Sequence, residues 1–431
     1  MLRLTLYTNF KYSGAIRSNL LQKSLILFFV LLISNSCKKE IQKSQVETDT
    51  FFHAFPTPAN ENSFYLKSTD DNGFMLFYNE SLDSSVVGDM NKLCIQKINA
   101  KGETEWVKKI LSDKIPSPLF AEQADGSILF TPQGEGKFGK ISKNGDLVFV
   151  STFWTSGPSV GNNNSYPLVI NDTFALVAFC DGLSRGTPSN NQIQYFDRIG
   201  VFSGTANITD AEMGFKTLYF SFYDGEIVGD YVSLKVYGWC FTNWIGDWGS
   251  PIRLFYGKII LGAKKKLLYK DIRVIDPKNN SKRNAQLYQL YTSKKELILV
   301  ATQSDLNTVN QGMIIKIDDK MNIVFQKDII ISPDGTNLNG MSECPDGNYL
   351  AFGYCNIPGK STAQPFVCKI STQGDLMWQK IFSIPSSGYI NWAIQKEDGT
   401  CFLTGVTNGF SQGKNQNDII LIKTDKSGNL K

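Results

Sequence analysis

Histidine is almost absent: the 431-residue chain holds one, His53. That excludes Ser-His-Asp and Cys-His nucleophile systems and every metal site built on several imidazoles. Eight cysteines are present, and none pairs as Cys-x-x-Cys or at zinc-ligand spacing. A G-x-G-x-x-G turn, a P-loop and a D-x-D-x-D-G calcium loop are missing too. Ser332-Pro333-Asp334-Gly335-Thr336 starts like a sialidase Asp-box and fails to complete it. No cofactor or metal is therefore expected. Charge of one sign is also lacking over most of the chain. Arg3, Lys11, Arg17 and Lys23 sit in the first 36 residues with no acid, and setting those four aside leaves 40 basic against 40 acidic residues. A formally neutral body argues against a nucleic-acid binder held by phosphate contacts.

What is plentiful points to strands and turns. The chain is 42% hydrophobic, with 36 glycines, 29 phenylalanines and 17 tyrosines, too apolar for a disordered polypeptide. It also repeats. Pro345-Asp346-Gly347-Asn348-Tyr349-Leu350 aligns with Glu397-Asp398-Gly399-Thr400-Cys401-Phe402, and Phe366-Val367-Cys368-Lys369-Ile370 aligns with Ile420-Leu421-Ile422-Lys423-Thr424. The same two-part unit opens at Asp71-Asn72-Gly73 and continues through Cys94–Ile98 to Trp106-Val107-Lys108. Each unit reads as four short strands: an Asp-Gly turn, a loop, an Asn-Gly or Gln-Gly turn, and a last strand often carrying Trp-x-Lys. Turns of this kind need positive φ, and four strands every ~50 residues is the mark of a β-propeller blade.

First-hairpin turns near Gly73, Gly126, Asp172, Gly229, Glu296, Gly347 and Gly399 predict an all-β, seven-bladed propeller over residues 50–431, with six or eight blades as alternatives. The last unit stops where its fourth strand should begin. Thr50–Pro56 matches Gln379–Pro385 in position and pattern, so an N-terminal outer strand is expected to close the ring.

These units resemble the repeat propellers of secreted and lipoprotein chains of the Bacteroidota, D-G-G-[YF]-x-[LI]-x-G followed by I-x-L-I-K-[TL]-D-x-x-G-x-x-x-W-x-K. The likeness is close in the terminal blades and weak from about 150 to 290. That family implies a fold and a location and has no shared catalytic motif to transfer. The N-terminus agrees with it. Four basic residues precede a nine-residue apolar run, Leu25–Ile33, too short for the roughly 20 residues of a membrane span. Ser34-Asn35-Ser36-Cys37 then resembles a bacterial lipoprotein signal, although Ser34 stands where an aliphatic residue is usual. The resemblance implies a signal peptide over 1–36, a lipid anchor on Cys37, a polar tether to residue 49 and an outer-membrane address, periplasmic or surface-exposed. Ordinary cleavage after Ser36 is the competing reading.

One segment stands out for binding. Trp239, Trp244 and Trp248 put three of seven tryptophans within ten residues. Trp239 keeps step with a strand and is expected in the core. Asn243, Trp244, Asp247 and Trp248 fall in the following loop, where exposed indoles suit a sugar ring or a protein hot spot. In a four-strand meander the second-to-third and fourth-to-first connections share one face, and here they are the long ones. The expectation is a non-enzymatic binding or docking module that takes a glycan or an envelope protein on that face. A propeller enzyme, carboxylate-based on glycosides or quinone-dependent, is the alternative, as is a structural subunit of an envelope or secretion complex.

Overall fold

The computed structural model describes residues 50–430 except 56–58, 82–91, 112–118, 124, 132–136, 153–167, 171–173, 182–189, 198, 200, 242–252, 263–265, 276–282, 305–308 and 411–416. Cys37, Asn243, Trp244, Asp247 and Trp248 all lie outside the described residues. The rest is an all-β propeller of seven four-stranded antiparallel sheets, with one helical turn at Asp210–Met213.

In chain order, sheet one holds β2 (Asn60–Ser68), β3 (Phe74–Ser81), β4 (Lys92–Ile98) and β5 (Thr104–Leu111). Sheets two to six repeat this as β6–β9, β10–β13, β14–β17, β18–β21 and β22–β25, running from Leu119 to Ile381. Sheet seven holds β26 (Gly388–Gln395), β27 (Cys401–Thr407) and β28 (Asp418–Thr424), and its outer strand is β1 (Phe51–Phe55), paired antiparallel to β28. The chain thus closes its own ring, and the last sheet keeps no open edge on β28.

The core lies between sheets. Each apolar cluster straddles two successive sheets: Tyr65 and Phe77 meet Phe120 and Phe130 between one and two, and Phe402 and Leu421 meet Phe74 and Leu66 between seven and one. Between two and three, the Phe138 and Phe196 rings stand 5.2 Å apart. Middle strands are covered on both faces, so β27 is buried at every residue, whereas outer β25 (Leu376–Ile381) is exposed or half-buried throughout. This is why the inner runs read as nearly continuous apolar stretches.

Three kinds of tie recur at the hairpin turns. Within a sheet, a third-strand lysine reaches the acid of the first turn: Lys97 to Asp71 at 2.7 Å, Lys140 to Asp125 at 3.2 Å, Lys316 to Glu296 at 2.9 Å, and Lys369 to Asp346. This is the physical content of the repeated Lys. Between sheets, the outer-strand ring lies on the glycine of the next sheet's second turn. A Cβ on Gly145 would stand 3.0 Å from Trp106, on Gly374 2.8 Å from Phe325, and on Gly428 2.7 Å from Trp378. The lysine two residues on follows, with Lys108 bonding Asp146 at 2.7 Å and Lys327 bonding Asp375. The Trp-x-Lys motif is an inter-blade latch.

The clasp strand makes the same latch. Phe51 lies over Gly102 of sheet one (2.7 Å from a built Cβ), and His53 Nδ1 is 3.3 Å from the Gly102 carbonyl. Phe51 faces Lys423 as Trp378 faces Lys369. Phe51 and His53 therefore occupy the Trp and Lys positions, and the match of Thr50 to Gln379 expected from sequence is shifted by two residues. A two-residue slip keeps every side chain on its own face, so the apolar pattern alone could not detect it.

The turns also differ from a two-residue hairpin. In Cys344–Asn348, the Gly347 N–H donates to the Cys344 carbonyl and the Cys344 N–H donates to the Asn348 carbonyl, with one positive φ, at Gly347. This is a three-residue loop with one left-handed position. In the first sheet that position is Asn72, not Gly73.

Two outcomes follow. Asp346→Asn leaves the buried Lys369 ammonium with Gln395 as its remaining side-chain partner, and stability to urea should fall by about 1–2 kcal/mol, less than for a fully buried pair because the acid is half-exposed. Lys369→Met removes the charge with its desolvation cost and should stay within about 1 kcal/mol of the parent. The turn acids also set acid sensitivity. Lys97 beside Asp71, and the Ser127 hydroxyl and N–H on Asp125, hold these carboxyls below the ordinary 3.8, Asp125 at about 2. The folded state binds fewer protons there than the unfolded one. Their stabilisation is complete above the unfolded value and is lost as pH falls toward about 2. Melting temperature followed against pH should drop in that window, and the drop should shrink in Asp71→Asn/Asp125→Asn.

Candidate functional site

Topology separates two faces. First-to-second and third-to-fourth turns share one face and are tight. Second-to-third connections share the other and are longer: β3 ends at Ser81 and β4 begins at Lys92, and β15 ends at Phe241 and β16 begins at Arg253. Each face carries a groove among the described residues.

On the long-connection face, a groove of about 600 Å³ lies between sheets six and seven, lined by Gly359-Lys360-Ser361-Thr362 and Ser383-Ile384-Pro385. The first segment joins β23 (Tyr349–Asn356) to β24 (Ala363–Ile370), and the second joins β25 (Leu376–Ile381) to β26. Gln364, fully buried, holds the two together. Its Nε2 donates to Thr362 Oγ1 at 3.0 Å and to the Ser386 carbonyl at 3.2 Å, and its Oε1 accepts from the Ile384 N–H at 2.9 Å. Lys360 Nζ crosses the groove to Ser383 Oγ at 2.9 Å. The Ala363 N–H donates to Ser387 Oγ, and Ser386 and Thr407 hydroxyls meet at 3.1 Å. The walls are fixed by buried bonds while hydroxyls and one ammonium face out, a surface suited to polar, multiply hydrogen-bonding ligands. Further along the chain, Tyr389 pairs with Tyr354 at 6.1 Å between ring centres, and both face Tyr288. Burial pushes the Tyr288 hydroxyl up to about 12, and Tyr354 and Tyr389 are raised by burial as well. These phenols keep their protons at neutral pH and can donate hydrogen bonds.

Two acids at the same end escaped the sequence reading. Glu61 on β2 and Asp418 at the start of β28 are both buried, and the Glu61 N–H donates to the Asn417 carbonyl at 2.9 Å. The sequence carries one signal for them: Asp418 stands directly before the apolar run Ile419–Ile422.

On the tight-turn face, a groove of about 620 Å³ runs between sheets one and two. Three of its four lysines are paired: Lys67 with Glu122 at 2.8 Å, Lys97 with Asp71, and Lys108 with Asp146. Tyr65 also donates to Glu122, at 3.1 Å. The groove is largely the space left by the latch.

His53 is where the sequence placed it, on the outer clasp strand, with the Phe51 ring 4.4 Å away. Trp239 is buried in the core between sheets four and five, as expected. Six cysteines, at 94, 240, 344, 355, 368 and 401, are buried free thiols. Burial pushes Cys240 and Cys368 up to about 12, which suits packing and not nucleophilic chemistry. Among the described residues no group of three or more His, Cys, Asp or Glu is arranged to hold a metal, and no helix is long and apolar enough to cross a membrane.

Gln364→Met keeps the volume but leaves the Ile384 N–H and the Ser386 carbonyl without that partner. Stability should fall by about 1–3 kcal/mol, and the Ile384 amide should exchange with deuterium faster than in the parent. Unchanged exchange at Ile384 would remove Gln364 from its role as the tie.

No protein-family model matches the chain, and no curated protein matches it in sequence. Among solved structures it is similar to an ulvan lyase of polysaccharide lyase family PL25 bound to GlcA(1-4)Rha3S, with TM-score 0.53, 9% identity, and 87% of this chain and 97% of that one covered. It is also similar to a protein of unknown function from Dyadobacter fermentans (TM-score 0.45, 12% identity, 86% and 99% covered). A third is BamB from Moraxella catarrhalis (TM-score 0.36, 8% identity, 87% and 99% covered). At these identities the likeness is one of fold.

Proposed function

We propose that this protein is a lipid-anchored envelope propeller that binds without transforming its ligand, a docking module for a glycan or a partner protein. It is anchored through Cys37 and works through the long-connection face. The observation that carries this reading is the groove beside Gln364: hydroxyls and an ammonium turned outward on walls held by buried hydrogen bonds. Rigid scaffolds with variable connections place binding in those connections. Asn243, Trp244, Asp247 and Trp248 lie outside the described residues and stand in sequence between Phe241 at the end of β15 and Arg253 at the start of β16. They are the second contact area of this reading.

Residues 38–431 serve as bait against detergent-solubilised envelope and a polysaccharide panel that includes ulvan. The parent should retain one class of prey, and Lys360→Ala/Thr362→Ala or Trp244→Ala/Trp248→Ala should lose most of it. Equal capture by parent and both variants would move the docking surface elsewhere. Shortening of a polysaccharide chain during incubation would replace binding with catalysis.

A further inference from the structure

Three phenol rings come together on the inner side of sheets five to seven. Tyr288 stands on β18 (Arg283–Tyr291), Tyr354 on β23 and Tyr389 on β26. The Tyr354 and Tyr389 ring centres are 6.1 Å apart at 55°, and both rings face Tyr288. Strands β18 and β26 are the innermost of their sheets, so two of the three phenols come from the wall of the central channel. All three are half-buried, and their hydroxyls bond no protein group among the described residues. The cluster adjoins the groove held by Gln364. Tyr354 lies opposite Pro365, the residue after Gln364. Gly388, beside Tyr389, backs onto the groove wall, where a built Cβ would stand 2.5 Å from Ile384.

Side-chain amides continue this inner wall. Asn339 Nδ2 is 3.4 Å from Asn391 Oδ1, and Asn391 Nδ2 donates to Asn62 Oδ1 at 3.2 Å. The Asn62 Nδ2 group, at the end of this series, has no partner among the described residues. Phenols and amides are all uncharged, and together they offer both donors and acceptors. Charge at this end of sheets five to seven lies instead on connections and outer strands, as with the exposed Lys360, Asp334 and Asp328. The remaining acids there, Asp418 and, in sheet one, Glu61, are buried.

We propose that these phenols and amides form a subsite for one uncharged sugar ring of a glycan, at the inner end of the groove beside Gln364. A pyranose has an apolar C–H face and a rim of hydroxyls that both donate and accept. Tyrosine rings give that face a large contact area at low entropy cost. Amides and phenol hydroxyls meet both roles of the rim. A carboxylate or an ammonium group would find no counter-charge in this set, and its lost hydration would go uncompensated. The inference rests on the reading of the long-connection face as the binding face, and it commits that face to a glycan with a neutral ring at this point.

The test titrates residues 38–431, which hold the complete ring, in a calorimeter. The probes are neutral hexasaccharides of gluco, manno and xylo configuration, with an oligogalacturonate as the charged comparison. At least one neutral hexasaccharide should bind. Tyr354→Ala and Tyr389→Ala should each weaken it roughly tenfold. Tyr389→Phe keeps the ring and its packing, and should weaken binding about threefold through the lost hydroxyl. Tyr269→Ala, at an exposed tyrosine on the outer strand of sheet four, should leave it unchanged. A parent that binds none of the neutral hexasaccharides overturns the proposal, as does one that binds oligogalacturonate alone. So does binding that both Tyr389 variants leave intact. The broader reading fails or stands separately. If no sugar binds while the pull-down retains an envelope protein that Lys360→Ala/Thr362→Ala loses, the docking face stands and the sugar subsite falls.

Discussion

Four of the seven sheet junctions rest on one contact, an aromatic face laid on a glycine that has no side chain to hold it off. Trp106 on Gly145, Phe325 on Gly374, Trp378 on Gly428 and Phe51 on Gly102 are the same event at four blade junctions. The glycine is needed twice over. Its backbone is left-handed, with φ of +86° at Gly102, and its missing Cβ is the space the ring fills. A fifth junction reaches a similar end by other means: Arg273 of sheet four donates to the carbonyl of Met321, itself left-handed at 65°. Sheets packed on one another through their apolar clusters are thus also coupled at their outer corners.

The inner edge of the ring meets a different constraint. Innermost strands have no neighbour on the central side, so their peptide groups need partners from elsewhere. Strands β22 (Thr336–Glu343) and β26 each carry a bulge, and the extra residue is an asparagine in both. Asn339 Nδ2 donates to the Ile390 carbonyl at 3.0 Å, and Asn391 Nδ2 donates to the Ser63 carbonyl at 2.7 Å. Side-chain amides thus carry hydrogen bonding from sheet six through seven to one, across the seam where the two ends of the chain meet. The tight-turn face is committed to such architecture by ion pairs and latches. The other face is left to vary, and a propeller can change what it binds there without disturbing what holds it together.

The sequence made some of this legible and some not, for reasons of geometry. Turn acids, left-handed glycines and the third-strand lysine recur at fixed spacing, so the unit could be read before the ring was known. The two-residue slip of the clasp strand could not, because a strand has period two and both registers bury the same face. Gln364 has no local signal for its role; its partners lie up to 22 residues away, and only the folded chain brings Thr362, Ile384 and Ser386 around one amide. Glu61 and Asn417 are still more distant in sequence and adjacent in space. The loop tryptophans show the opposite limit, since composition singled them out while nothing local determines what they face.

By itself the sequence determined the secondary structure, the four-strand unit and the closure of the last sheet by the first strand. These follow from turn chemistry and apolar alternation, which act over a few residues. Tertiary structure alone decided which residues share a groove, which acids are buried and on which rim the N-terminal segment joins the ring. Those properties are set by contacts between sheets, and the ring brings such contacts together from segments that no local pattern connects.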